Sequence, residues 1–131
     1  GSGLVSNIDD YAQFALMLMN KGELNGVRIL SKSSVEMMSK NHLSDSVLSD
    51  GAAFGLDGVG FGLTMAVVED AGRAGTYSTN GEFSWGGAAS TTFWVDPVNQ
   101  VTAVMMTQYM TSDKYPLREE LKTLIYSGLS N

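Results

Sequence analysis

A backbone donor aimed at developing negative charge is one part of a site for acyl chemistry, and the stretch Gly81 to Pro97 could supply it. It reads Gly-Glu-Phe-Ser-Trp-Gly-Gly-Ala-Ala-Ser-Thr-Thr-Phe-Trp-Val-Asp-Pro and holds both tryptophans of the chain. From Gly86 to Ser90 side-chain bulk is nearly absent, and glycine within a strand often marks the close approach of another group to the backbone. An edge carrying Trp85, Gly86 and Gly87 would let a substrate backbone or acyl group lie against it, and a free N–H just beyond could donate to an oxyanion. A bulge at a sheet corner explains the same composition, and composition leaves the two readings level.

The other components of such a site are harder to find. A Ser-x-x-Lys motif requires Ser three residues before Lys21, Lys32, Lys40, Lys114 or Lys122, where the chain has Leu18, Ile29, Met37, Thr111 and Glu119. There is no Gly-x-Ser-x-Gly elbow, and a Ser-His-Asp triad could use only His42, which follows a helix end and is better read as a surface or helix-terminal residue. The carboxylate pairs Asp9-Asp10 and Glu119-Glu120 fall at helix starts, where negative charge suits the dipole. Asp45, Asp50 and Asp57 lack the dense alternation of a calcium loop, and without cysteine and with one histidine a zinc site is short of ligands, so no metal or other cofactor is expected. Gly58-Val59-Gly60-Phe61-Gly62 is followed by a strand pattern, whereas a phosphate-binding loop needs a helix.

Composition narrows the setting. At 131 residues with 44% apolar content the chain fits one domain, residues 1–131. A net charge of −6 argues against nucleic acid, which calls for a basic footprint. No apolar run approaches the roughly 20 residues that span a bilayer, so no membrane partner is expected, and no signal peptide is read. The compartment stays undetermined.

The elements that must position the candidate stretch follow from periodicity and caps. Ser6 with Asp9 resembles a capping box, and Ile8, Tyr11, Ala12, Ala15, Leu16 and Met19 recur at helical spacing until Gly22, predicting a helix over 7–20. Asn25-Gly26 predicts a tight hairpin, Ser31 caps a second helix to about Lys40 with Val35 and Met38 inward, and 44–58 reads as a surface loop. Val59–Val68 and Thr76–Phe83 read as strands around a polar turn, and Thr91–Val95 and Val101–Gln108 as an antiparallel pair turned at Asp96-Pro97. Val101 to Met106 is almost continuously apolar, as a strand covered on both faces would be. Ser112 or Asp113 can cap a last helix whose stripe of Leu117, Leu121, Leu124, Ile125 and Gly128 should lie across the sheet. The eight methionines read mainly as core filling. The expected class is α+β, an antiparallel sheet packed against a C-terminal helix and N-terminal helices.

Several segments together resemble the C-terminal part of the class C β-lactamase-like serine hydrolases, a family of β-lactamases, D-alanyl-D-alanine peptidases and carboxylesterases. They are Gly3-Leu4-Val5-Ser6 with Asp10-Tyr11, Gly26 to Ser31, Asn41-His42-Leu43, Gly60-Phe61-Gly62-Leu63 and, most specifically, Gly81 to Ala89 with Phe93 to Pro97. The resemblance implies a partial penicillin-binding-protein-like (transpeptidase-like) fold. It implies that Trp85-Gly86-Gly87 stands where the family's third motif does, that Ala88 N–H is an oxyanion donor, and that Ser90 lies along a substrate-binding strand. The family's Ser-x-x-Lys and Tyr-x-Asn lie upstream in its members, and neither occurs here. The chain therefore reads as a C-terminal piece, inactive alone, whose partner is the N-terminal part of a parent enzyme or a second copy paired through the sheet edge. Trp85 in place of the lactamases' lysine points to a small acyl ester or amide rather than a β-lactam. The alternative is a non-catalytic binding or assembly module.

Overall fold

The computed structural model describes residues 4–49, 57–110 and 114–129. The first helix, α1 (Ile8–Met19), is capped by Asn7, whose side-chain oxygen accepts from Asp10 N–H at 2.9 Å, so the cap falls one residue later than the Ser6–Asp9 pairing suggested. A two-stranded ribbon follows, β1 (Glu23–Leu24) and β2 (Val27–Arg28), turned by Asn25 at φ 51° and Gly26 at φ 79°, the pair of positive angles that this dipeptide accommodates. Helix α2 (Lys32–Met38) is capped by Ser31 as expected and buries Val35.

The surface loop after α2 contains a short helix, α3 (Asp45–Ser49); Asp50 lies outside the described residues. Val59 to Val68, read as one strand, is itself a hairpin of β3 (Val59–Phe61) and β4 (Ala66–Val68). Asp70 then caps the short α4 (Ala71–Ala74), and the next strand, β5 (Phe83–Gly86), starts seven residues later than the extended pattern at Thr76 suggested. The strands β6 (Thr92–Asp96) and β7 (Val101–Met105) complete an antiparallel sheet in the order β3-β4-β5-β6-β7. The turn between the last two is held by Asp96, whose carboxylate accepts from Val98 N–H and Asn99 N–H at 2.9 and 3.1 Å and from the Asn99 amide at 2.8 Å. The last helix, α5 (Leu117–Ser127), follows Pro116 with no side-chain cap; the predicted cap residues Ser112 and Asp113 lie outside the described residues.

Successive side chains of β6 point to opposite faces of the sheet. Phe93 and Val95 pack with Ala15, Met17 and Leu18 of α1, with Val35, and with Met65, Val67 and Phe83, and this is the apolar core. Tyr11 and Phe14 meet the Phe93 ring edge to face at 5.2 and 6.2 Å, adding aromatic contact to the burial. Trp94 and Asp96 face α5 instead, so the sheet lies between two helical layers. β7 is an edge strand packed against α1, and its residues are all half-buried rather than enclosed on both sides. The methionine reading holds for Met17 and Met65, which are buried, whereas Met37 and Met106 are exposed.

Two of the segments that carry the family resemblance, Asn41 to Leu43 and Gly60 to Leu63, dock on one another. Asn41 accepts from the N–H groups of Leu43 and Phe61 at 2.9 and 3.1 Å, and its side chain occupies the space a Cβ on Gly60 would need. A Cβ on Gly62 would lie 1.9 Å from the Met38 carbonyl oxygen, which accepts from Leu63 N–H. These residues lock the end of α2 to β3.

Candidate functional site

β4 pairs with β5 only through Ala66↔Ser84 and Val67↔Phe83, while β6 follows β5 on to Gly86↔Thr92. Trp85 and Gly86 thus extend past the end of β4, with a strand partner on one side. Beyond Gly86 the chain makes a tight turn: Ser90 N–H donates to Gly87 O at 3.1 Å, and Gly87 N–H donates to Thr91 O at 3.0 Å. Ala88 is exposed at the tip, and among the described residues its N–H has no hydrogen-bond partner.

The close approach that the glycines signal is made by groups of the chain itself. A Cβ on Gly86 would meet three atoms of the Arg118 guanidinium at 2.6–2.9 Å, and one on Gly87 would lie 2.4 Å from Thr91 Oγ1. Arg118, in the first turn of α5, donates from Nη2 to both Gly87 O and Thr91 O at 3.0 Å. Two further bonds anchor the turn: Ser90 donates its hydroxyl to Tyr109 O at 2.7 Å, and Thr107 Oγ1 donates to Ala89 O. Ser90 is buried and sits at φ 62°, so its side chain braces the turn. The Trp85 ring is partly exposed and meets Phe61 edge to face at 5.3 Å. Between α5 and the sheet runs a cavity of about 430 Å³, floored by Val59, Ala66, Val68 and Trp94 and reaching Gly86, Gly87 and Ala88.

Further along α5 the contacts are ionic. Glu82 and Asp96 are buried carboxylates. Lys122 pairs with Glu82 Oε1 while its ammonium sits 5.7 Å from the Trp94 ring centre. The Tyr126 hydroxyl lies 2.6 Å from Asp96 Oδ2 and 2.9 Å from Glu82 Oε2. Burial pushes the Glu82 carboxyl above its ordinary value, and the Lys122 charge and hydrogen bond with the Tyr126 bond offset this only in part. Burial also acts upward on Asp96, but bonds from Thr79, Tyr126 and Asn99 outweigh it and leave that carboxyl below its ordinary value. Burial, then the bond to Asp96, raise the Tyr126 phenol. The phenol has one proton to give, and the shorter contact directs it to Asp96, the carboxyl held below its ordinary value.

The structure therefore brings Trp85, Gly86, Gly87, Ala88 and Ser90 together at one sheet end. His42 lies elsewhere: its ring nitrogen bonds Met37 O at 2.8 Å, at the end of α2, which is the helix-terminal role expected. Asp9 and Asp10, and Glu119 and Glu120, sit in first helical turns as read. Asp57 is tied to Arg73 at 2.5 Å, and among the described residues no three His, Asp or Glu side chains cluster as a metal site would. Sequence reasoning missed Arg118, Lys122 and Tyr126. Their spacing of four is a helical face, and Glu82 and Asp96 next to apolar strand residues were the signal that such a face would be needed.

Comparison with known proteins agrees with this architecture. The Beta-lactamase family profile matches residues 1–126, and the chain belongs to that family. Two Mycobacterium tuberculosis proteins, "Uncharacterized protein MT1414" and "Protein Rv1367c", are each 36% identical over 115 residues, 83% of this chain. The chain spans 28% of the length of these curated relatives. Among solved structures, "EstCE1, a hydrolase with promiscuous acyltransferase activity" superposes with a TM-score of 0.81 at 27% identity, covering 96% of this chain and 31% of that one. Unliganded Simvastatin Synthase (LovD) from Aspergillus terreus shares the fold at a TM-score of 0.66 and 16% identity, covering 89% of this chain and 33% of that one.

Proposed function

We propose that this chain is the C-terminal part of an esterase-like serine hydrolase that works through an acyl-enzyme, supplying one oxyanion donor and a substrate-docking edge. The observation that carries the reading is the exposed, unpartnered N–H of Ala88 at the end of a strand whose neighbour has already stopped. A serine from the remainder of the enzyme would attack the carbonyl of a small ester or amide. The carbonyl oxygen would gain negative charge and take the Ala88 N–H, while Trp85, Gly86 and Gly87 border the acyl group. Loss of one such donor typically lowers kcat by about 10²–10³. Trp85 offers no cation to a substrate carboxylate, which favours simple acyl esters over β-lactams. The 27% identity to a hydrolase with acyltransferase activity supports the same direction.

The test compares this chain with a longer protein that contains it, using a short acyl ester. The chain alone should be inert and the longer protein active; turnover by the chain at the parental rate sinks the proposal. A second reading, a non-catalytic pairing module, is favoured by one observation: β7 ends the sheet, and unpaired edges recruit strands. Sedimentation at high concentration should then show self-association, and a monodisperse monomer counts against it.

A further inference from the structure

We infer that Arg118 is the positioning residue that aims the Ala88 N–H. The inference takes its functional meaning from the oxyanion reading above, but its geometry stands separately. The Gly87 carbonyl and the Ala88 N–H belong to one peptide group, which is planar and here trans, so the two bonds point in opposite directions. Whatever holds the carbonyl oxygen sets the direction of the N–H. That oxygen accepts from Arg118 Nη2 at 3.0 Å and from Ser90 N–H at 3.1 Å, and Arg118 Nη2 also reaches Thr91 O at 3.0 Å, the acceptor for Gly87 N–H. One guanidinium thus grips both acceptors that close the turn. It turns the Gly87 oxygen toward α5 and the Ala88 N–H away from it.

Charge adds to geometry. A cation on the carbonyl oxygen polarises the peptide and makes its N–H a better donor to a developing anion. Arginine's planar fork suits a seat over a glycine that lysine would fill poorly. Gly86 provides that seat, since any Cβ there would strike the guanidinium at 2.6 Å. This also explains why an apolar-striped helix keeps an arginine half-buried in its first turn, with Nε out of reach of any hydrogen-bond partner among the described residues.

The experiment measures amide order parameters and hydrogen exchange on the isotope-labelled chain, for Arg118→Met, Arg118→Lys and Gly86→Ala. The last displaces the guanidinium without touching α5. In Arg118→Met and Gly86→Ala, exchange at Gly87 and Ser90 should quicken about tenfold or more, and the Ala88 order parameter should fall from the rigid value near 0.85 to below about 0.6. The amides of Val101–Met105 should stay protected in both, and Arg118→Lys should recover part of the order. An Ala88 amide that stays rigid in folded Gly86→Ala overturns the inference, as does an equal loss of protection across the whole sheet. If Arg118→Met does not fold, Gly86→Ala alone decides. The oxyanion reading fails separately: it is lost if Ala88 loosens as described while ester turnover by the longer enzyme is unchanged.

Discussion

Helix α5 holds the sheet at two points with opposite chemistry. Near its start Arg118 grips backbone carbonyls at Gly87 and Thr91, and one to two turns later Lys122 and Tyr126 grip the buried carboxylates Glu82 and Asp96. The first contact shapes an exposed turn whose carbonyls have second donors in Ser90 and Gly87. The second pairs one buried carboxylate with a cation and hydrogen-bonds the other. The lesson is that one helix face can do two jobs, and that removing each contact should fail differently: local order at the first, global stability at the second.

The largest effect is expected at the ionic end. Lys122→Met leaves Glu82 buried without its cation, and stability measured by urea unfolding should drop by about 3–5 kcal/mol. A loss under about 1 kcal/mol would erase the contrast between the two ends. Tyr126→Phe removes one donor from Asp96 while Thr79, Val98 and Asn99 still serve it, so the cost should be about 1–2 kcal/mol by the same measurement. Arg118→Met should cost less, about 1 kcal/mol in global unfolding, because Gly87 O and Thr91 O keep backbone donors. A global loss comparable to that of Lys122→Met would show that Arg118 is a strut of the whole sheet.

The finest distinction comes from pH. Asp96 is held below 3.8, so its contribution is present above that value and fades as pH falls through its folded value. Glu82 is held above 4.5, so its contribution is present below 4.5 and is lost as pH rises through its folded value. The deficit of Asp96→Asn relative to the parent should shrink in acid below about 3.8. The stability of Glu82→Gln relative to the parent should improve as pH rises from 4.5. Unfolding titrations across pH 3–7 read both, and parallel curves for the two variants would contradict the opposite settings of the carboxyls.

Much of the scaffold was legible because it is local. Asn25-Gly26 fixes its own turn, Ser31 caps the helix that follows, and Asp96-Pro97 builds the bend between β6 and β7. The errors have local causes too. Asn7 rather than Ser6 bonds the first turn of α1, and the glycine-rich run from Val59 folds back on itself in a turn closed by Gly62 N–H on Met65 O. Of the apolar stripe of the final helix, Leu117, Leu121 and Ile125 are half-buried beside Arg118, Lys122 and Tyr126, whereas Leu124 is largely exposed. Periodicity reports the apolar residues of a helix's docking side; which polar residues share that side depends on the charge waiting opposite.

By itself the sequence determined that Gly86 and Gly87 leave room for a close neighbour, and that Ala88 follows the end of a strand. Only the tertiary structure decided that the neighbours are Arg118 and Thr91, the first 31 residues along the chain from Gly87. The reason is physical: a missing Cβ is a property of one residue, whereas the direction of a peptide N–H depends on what grips the carbonyl across the fold.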